Sequence, residues 1–286
     1  MNSTSICLVN SFVINFVLSI VKVIFGFIGK SSALIADGIH SFSDLATDLV
    51  ALLGNIFALK PADEKHPYGH GRLEYLTSLI ISLVVMSLGF VIIYKSNSND
   101  YTIPNKIVII VSIFTIISKF VLATYLVKCG KKYKNAILIS SGKESSMDVI
   151  SSMFVLLSSI LMQFSNEYSI LKYSNLVVTI MIGLFIIKTG FNILKDNISS
   201  ILGEQENEKK KEFIEIINSF DKIIRVDELA VIKNGPYYQI IGEVSMNENL
   251  TLKETHDVID KLEKKIKKND VKAKYINIHV NPIKDK

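Results

Sequence analysis

A chain of 286 residues that is 49% hydrophobic, with a mean hydropathy of +0.36, is too apolar for an ordinary soluble domain. The apolar residues concentrate before about residue 200 and the remainder is rich in Lys and Glu, so the composition calls for a membrane part followed by one small soluble domain. The net charge of +5 gathers in particular loops and in the tail, and with no Arg-rich patch or aromatic-interleaved basic motif it does not describe a nucleic-acid-binding surface.

The first apolar run, 6–28, has neither a basic region before it nor a small-residue cleavage site, and reads as a retained span rather than a signal peptide. Further runs at 32–58, 73–95, 104–127, 136–164 and 173–195 are each long enough to cross about 30 Å of hydrocarbon as helix. Six spans put both ends of this part on one side. The loop after the second span carries Lys60, Lys65 and Arg72, and the loop after the fourth carries Lys128, Lys131, Lys132 and Lys134. The opposite side has only Lys30, then Lys95 and Lys106 with Asp100, then Lys172 with Glu167. The positive-inside rule therefore predicts a multi-pass protein of the cell membrane with both termini, both basic loops and the tail in the cytoplasm. Lys22 and Lys119 lie inside apolar runs, where snorkelling toward an interface is the first explanation and pairing with a buried carboxylate the second. Cys7 and Cys129 are far apart in the chain, form no metal or redox motif and are expected to stay reduced.

The second span, SSALIADGIHSFSDLATDLVALLGN, carries Asp37, His40, Asp44 and Asp48. At 100° per residue these four fall within about 80° of arc on one helical face. Ionisable residues in a span are expensive, face a bundle interior and mark an ion pathway. The fifth span supplies a second pair, Glu144 and Asp148, four residues apart and flanked by Ser140, Ser141, Ser151 and Ser152. At about 1.5 Å per residue Asp44 lies about 24 Å from Lys60 and Asp148 about 21 Å from Lys134, so the two pairs sit at similar depths. One imidazole and three carboxylates suit a first-row divalent cation in a four-coordinate site. The competing explanation is that these are packing polar groups satisfied by neighbouring hydroxyls. Asp37 and Asp48 are as readily structural as they are supports for an ion.

Between the second and third spans, KPADEKHPYGHGRLE brings Asp63, His66 and His70 within eight residues, a three-ligand metal site or else a Gly-Pro turn with solvated histidines. GEQENEKK at 203–210 breaks the apolar pattern. Beyond it the periodicity predicts helix Glu206–Phe220, strand Arg225–Lys233, a turn at Asn234-Gly235-Pro236, strand Tyr237–Met246, helix Leu252–Lys268 and strand Lys274–Val280. This αββαβ order describes a small α+β domain with helices over one face of its sheet, and dimerisation would help a core of that size. The expected organisation is a six-helix transmembrane domain over 1–200 and a cytoplasmic domain over 203–286.

The pattern SSALIADGIHSFSD, the later PADEKHPYGHGRLE, the six spans and the αββαβ tail together resemble the cation diffusion facilitator family of metal exporters, over nearly the whole chain. The resemblance implies a ferredoxin-like, metallochaperone-like tail and a transported-metal site from paired positions on the second and fifth spans, here His40, Asp44, Glu144 and Asp148. The family's best-known zinc carriers have His where this chain has Glu144. A harder, more anionic site puts manganese or iron(II) beside zinc as candidates, and leaves an extra charge for a proton or a lysine to compensate. It further implies a homodimer that exchanges the metal for protons, a loop metal site at Asp63, His66 and His70, and tail ligands at Asp227, Glu243, His256 and His279, with Asn281 where an Asp is common. Arg72 matches a basic position that makes a charge contact near the last span. The usual acidic partner is Ser199 here, with Asp196 as the nearby substitute. Without HExxH, a Ser/His nucleophile or a Gly-rich phosphate loop, the expectation is a secondary transporter, neither an enzyme nor ATP-driven, with no organic cofactor. A membrane metal sensor that binds without moving ions is the alternative.

Overall fold

The computed structural model describes residues 3–96, 102–133 and 135–284; Asp100 and Lys134 of the charge comparison lie outside them. The chain forms two compact units, one of residues up to Leu49 together with Ile80–Ile193, the other of Val50–Leu79 with Leu194–Lys286. Six long helices are found near the expected places: α1 Ser3–Ile28, α2 Ser32–Ala58, α3 Leu73–Ser96, α4 Lys106–Lys132, α5 Ala136–Gln163 and α6 Ser174–Ile201, with a 3-10 turn Ser169–Tyr173 before the last. Five of them are long and apolar enough to cross a membrane; α2 has the length but carries the ionisable face. The helices outrun the apolar runs at two ends. Lys128, Lys131 and Lys132, expected in a loop, sit in the last turns of α4, where cations are favoured by the helix dipole. The sixth helix continues to Ile201 and stops before Gly203, which takes a left-handed φ of 86°.

In the first unit the faces are inverted relative to a soluble bundle. Helix α4 exposes Ile110, Phe114, Ile117 and Val121, while its buried side includes Ser112, Thr115 and Lys119. Apolar side chains gain nothing by leaving lipid, so such helices associate through small residues and polar contacts. Helices α3 and α6 meet at Gly89 and Gly183: a Cβ on Gly89 would stand 2.9 Å from the Gly183 carbonyl oxygen, and one on Gly183 would stand 3.3 Å from that of Gly89. Helix α2 is held at its start. Ser31 Oγ accepts from the Leu34 amide at 3.2 Å, and the Asn175 side-chain carbonyl at the head of α6 accepts from the Ala33 amide at 3.2 Å. Orphan donors of the first turn are thus satisfied where no water would reach them. Cys7 and Cys129 are distant in sequence only: their Sγ atoms lie 2.9 Å apart across α1 and α4, both as free thiols.

The second unit carries the expected αββαβ order as α7 Asn207–Asn218, β1 Ile223–Asn234, β2 Tyr237–Asn247, α8 Leu252–Asn269 and β3 Ala273–Ile283. The sheet order is β1-β2-β3, with β1 and β2 an antiparallel hairpin and β3 parallel to β2. A parallel neighbour requires a crossover, and α8 supplies it, opened by a capping box between Thr251 and Glu254. Phe213 and Ile217 of α7 and Val258, Leu262 and Ile266 of α8 pack with Leu229, Val231, Ile240 and Val244 of the sheet. The pairing skips Asp227, between Val226 opposite Val244 and Glu228 opposite Glu243. This bulge re-aims one acidic side chain. At the hairpin turn Gly235 has φ 60°, and its amide donates to Tyr75 Oη at 2.9 Å while that hydroxyl donates to the Lys233 carbonyl at 3.1 Å.

Gly89→Leu is expected to destabilise the bundle by about 1–3 kcal/mol, as overpacking of a filled contact does. The check is the thermal unfolding midpoint of the detergent-purified protein, which falls in the variant.

Candidate metal centre

Helical periodicity places Asp37, His40 and Asp44 on the inward face of α2, and α5 presents Asp148 to them. His40, Asp44 and Asp148 each offer a ligand atom within 4.8 Å of the others. His40 Nδ1 lies 3.6 Å from Asp44 Oδ2. A tetrahedral site with bonds near 2.0–2.1 Å sets its donors roughly 3.4 Å apart, so a modest contraction would close these three on one ion. His40 is 6% and Asp148 7% exposed, and the imidazole stands edge-on to the Phe185 ring at 5.3 Å between centroids. These residues line a cavity of about 430 Å³ with Met147, Phe154, Met181 and Thr189. Glu144 lines the same cavity from an exposed position one turn before Asp148 and is not among the three clustered donors.

The two intramembrane lysines do not snorkel. Lys22 and Lys119 are 0% and 1% exposed, and each is paired with a carboxylate. Lys22 Nζ is 2.8 Å from Asp37 Oδ2 and donates to Ser41 Oγ at 3.2 Å and Ser152 Oγ at 3.0 Å. Asp37 also accepts from Ser151 Oγ at 2.8 Å and Ser152 Oγ at 2.7 Å. Asp37 is thereby occupied in joining α1, α2 and α5. Lys119 Nζ lies 2.6 Å from Oδ2 of Asp148, itself a member of the three-donor cluster. Snorkelling failed as the first explanation because both residues fall on the buried sides of their helices, where no interface is within reach. Asp48 is exposed, beyond the cluster.

The loop residues also converge. Asp63 Oδ1 accepts from the amides of Lys65 at 3.0 Å and His66 at 2.7 Å, and the His66 amide holds its carboxyl below the usual carboxylate range. His66 Nδ1 lies 3.2 Å from Asp63 Oδ1 and His70 Nε2 3.4 Å from Asp63 Oδ2. The Pro61 carbonyl faces His70 Nδ1 at 3.2 Å. Protonation there leaves the Nε2 lone pair directed at Asp63, the tautomer a metal ligand needs. Arg72 and Asp196 are both exposed, and neither makes an ion pair among the described residues.

In the tail two of the four expected positions, Asp227 and Glu243, share one partner. Asp227 Oδ2 accepts from Ser245 Oγ at 2.6 Å and Asn281 Nδ2 at 3.1 Å, and its Oδ1 from Arg225 Nε at 2.6 Å; the Ser245 hydroxyl foremost, then Asn281 and Arg225, keep its carboxyl low. The same Asn281 amide donates to Glu243 Oε2 at 3.1 Å. A neutral amide therefore bridges the two acids. His279 pairs in register with Glu243, while His256 is on the exposed side of α8, opposite the buried Val258, Leu262 and Ile266. Among the described residues these four do not form a group of three clustered donors.

Comparison with known proteins bears on what such centres serve. The model of the cation efflux transmembrane domain matches residues 8–202, and that of the cation efflux protein cytoplasmic domain matches residues 205–283. An uncharacterized transporter of Methanocaldococcus jannaschii is 32% identical over 259 residues, 88% of this chain and 89% of that protein. The manganese efflux system protein MneP of Bacillus subtilis is 25% identical over 274 residues, 94% of this chain and 92% of its own. A cadmium, cobalt and zinc/H(+)-K(+) antiporter of the same organism is 23% identical over 250 residues, 85% and 79% of the two chains. With both domains matched in order and nearly from end to end, the chain belongs to the cation efflux, or cation diffusion facilitator, family and is a multi-pass membrane transporter, not an enzyme.

Proposed function

We propose that this protein is a homodimeric secondary transporter that exports a divalent metal cation from the cytoplasm in exchange for protons, with the ion held by His40, Asp44 and Asp148 and reached by Glu144. The observation that carries the reading is a histidine and two aspartates gathered around one cavity among apolar helices. Such a group is costly to keep in a membrane unless an ion uses it. A relative named for manganese efflux and another named for cadmium, cobalt and zinc antiport support metal efflux as the activity and leave the cargo to the donor set. Carboxylate oxygen outnumbers imidazole nitrogen here, which favours manganese or iron(II) over zinc.

The chemistry of the ligands supports proton exchange. A bound dication needs a neutral imidazole and ionised carboxylates, so protons and metal compete for the same atoms. If the cavity opens alternately to the two sides, a metal entering from the cytoplasm leaves where protons replace it. The excess of Lys and Arg in the loop after the second span and in the last turns of α4 supports cytoplasmic termini. Residues 1–200 form the transport domain in this reading. Residues 203–286, of which 205–283 match a cytoplasmic domain of the family, form the dimerisation part, with His256 and His279 as its imidazoles and Asp227 and Glu243 occupied by Asn281. Asp63, His66 and His70 form a second metal site.

Purified protein in proteoliposomes under a pH gradient tests the transport reading with Mn, Fe(II), Zn, Co and Cd. His40→Ala and Asp148→Asn are expected to abolish metal-driven proton flux; unchanged flux in both would remove the centre from the pathway, and metal binding without flux in the parent protein would make it a sensor. Glu144→His is expected to raise zinc transport relative to manganese several-fold. For the loop, His70→Ala should delete one class of metal site in a calorimetric titration while the α2–α5 class persists.

A further inference from the structure

Two buried lysines are paired with aspartates in the first unit, and the pairs differ in kind. The Lys22 ammonium has three oxygen acceptors, matching its three donors, and Asp37 takes two hydroxyls besides. That pair is saturated and does not line the cavity. Lys119 has one acceptor among the described residues, Asp148 Oδ2 at 2.6 Å, and it is 1% exposed. An ammonium buried with donors to spare is held by charge and little else. Its partner is also the carboxylate that gives the three-donor cluster its contribution from α5.

We propose that Lys119 is a tethered stand-in for the transported cation: its ammonium occupies Asp148 when the centre is empty, an entering dication displaces it, and its return helps expel the ion. The proposal rests on the reading of His40, Asp44 and Asp148 as the transport centre. An empty site in a low dielectric cannot keep a bare Asp148 carboxylate, and a covalently attached cation neutralises it at any metal concentration. A dication carries twice the charge of the ammonium and also engages His40 and Asp44, which a single contact at Asp148 Oδ2 does not. A monovalent ion brings no more charge than the lysine already there and binds imidazole poorly, so the same side chain sets a threshold against monovalent cations. Lysine suits the task as a compact charge on a flexible stem. Glu144, on the same cavity, offers the displaced ammonium another carboxylate.

The test uses the full chain, with Mn²⁺ as the probe, in detergent for binding and in proteoliposomes for transport. Lys119→Met keeps the length and removes the competitor; it is expected to bind Mn²⁺ roughly tenfold or more tightly, since the apparent affinity no longer carries the displacement penalty. In transport its KM and its turnover should fall together, because release loses the returning charge. Lys119→Arg, which grips a carboxylate through two N–H groups, is expected to bind Mn²⁺ more weakly than the parent. A purely structural lysine would raise KM in both variants; the two readings part at Lys119→Met, and a raised KM there overturns the proposal. If Lys119→Met does not fold, Lys119→Gln, neutral and of similar length, takes its place, and Mn²⁺ binding that is unchanged or weaker in it is likewise fatal. Asp148→Asn separates the two levels: Mn²⁺ binding unchanged by it defeats the centre itself, whereas binding lost there but not tightened in Lys119→Met defeats only the tethered cation.

Discussion

An ionised side chain among apolar helices has to meet opposite charge or enough hydrogen bonds before a chain can fold around it. Lys22, Asp37, Lys119 and Asp148 are all nearly excluded from solvent, and they form two ion pairs. Lys22 and Asp37 close theirs with serine hydroxyls from α2 and α5, so one polar knot fixes three helices. The knot lets α2 carry its acids inward, because its first ionisable residue is already neutralised by α1. His40 and Asp44 then follow on the same face at helical spacing. Their positions therefore depend on a lysine that touches neither of them.

The second unit handles its acids by opposite means. Asp63, Asp227 and Glu243 are placed on a loop or a sheet, and donors are brought to them: backbone amides at Asp63, a serine, an arginine and an asparagine at Asp227. A β-bulge turns Asp227, and its side chain and that of Glu243 reach the same Asn281 amide. The outcomes differ because the surroundings do. His66 and His70 stand beside Asp63 with ring centroids 4.5 Å apart, whereas in the tail a neutral amide already spans the acids. Of the two places, only the loop gathers a carboxylate and two imidazoles among the described residues.

Much of this was legible in the residues. Apolar runs gave the helices because lipid imposes length and composition on them, and alternation with Asn-Gly-Pro gave the hairpin. His40, Asp44 and Asp148 stood out because a charge inside a run has few innocent explanations. Pairings across helices were not legible. Nothing local tells Lys119 from a snorkelling lysine; only the neighbour opposite it does, and that neighbour is on another helix. The Cys7–Cys129 approach, between residues far apart in the chain, was hidden for the same reason. His256 illustrates the converse: motif position marked it as a ligand, but α8 turns it away from the face defined by Val258, Leu262 and Ile266.

Glu144 and Lys119 belong to one charge problem. With Glu144 the proposed centre has three carboxylates and one imidazole, a formal excess of one negative charge over a bound dication. A histidine at that position would leave the excess at zero, and a buried cation beside Asp148 would then oppose the metal with nothing to balance. An additional carboxylate makes a resident lysine tolerable in both states, paired with Asp148 when the ion is absent and offered Glu144 when it is present. Hard oxygen donors also hold Mn(II) or Fe(II) less tightly than imidazole and thiolate hold zinc, so a modest competing charge suffices to release them. In the proposed centre, the Glu144 that hardens the donor set is thus also the group that gives a tethered cation somewhere to go.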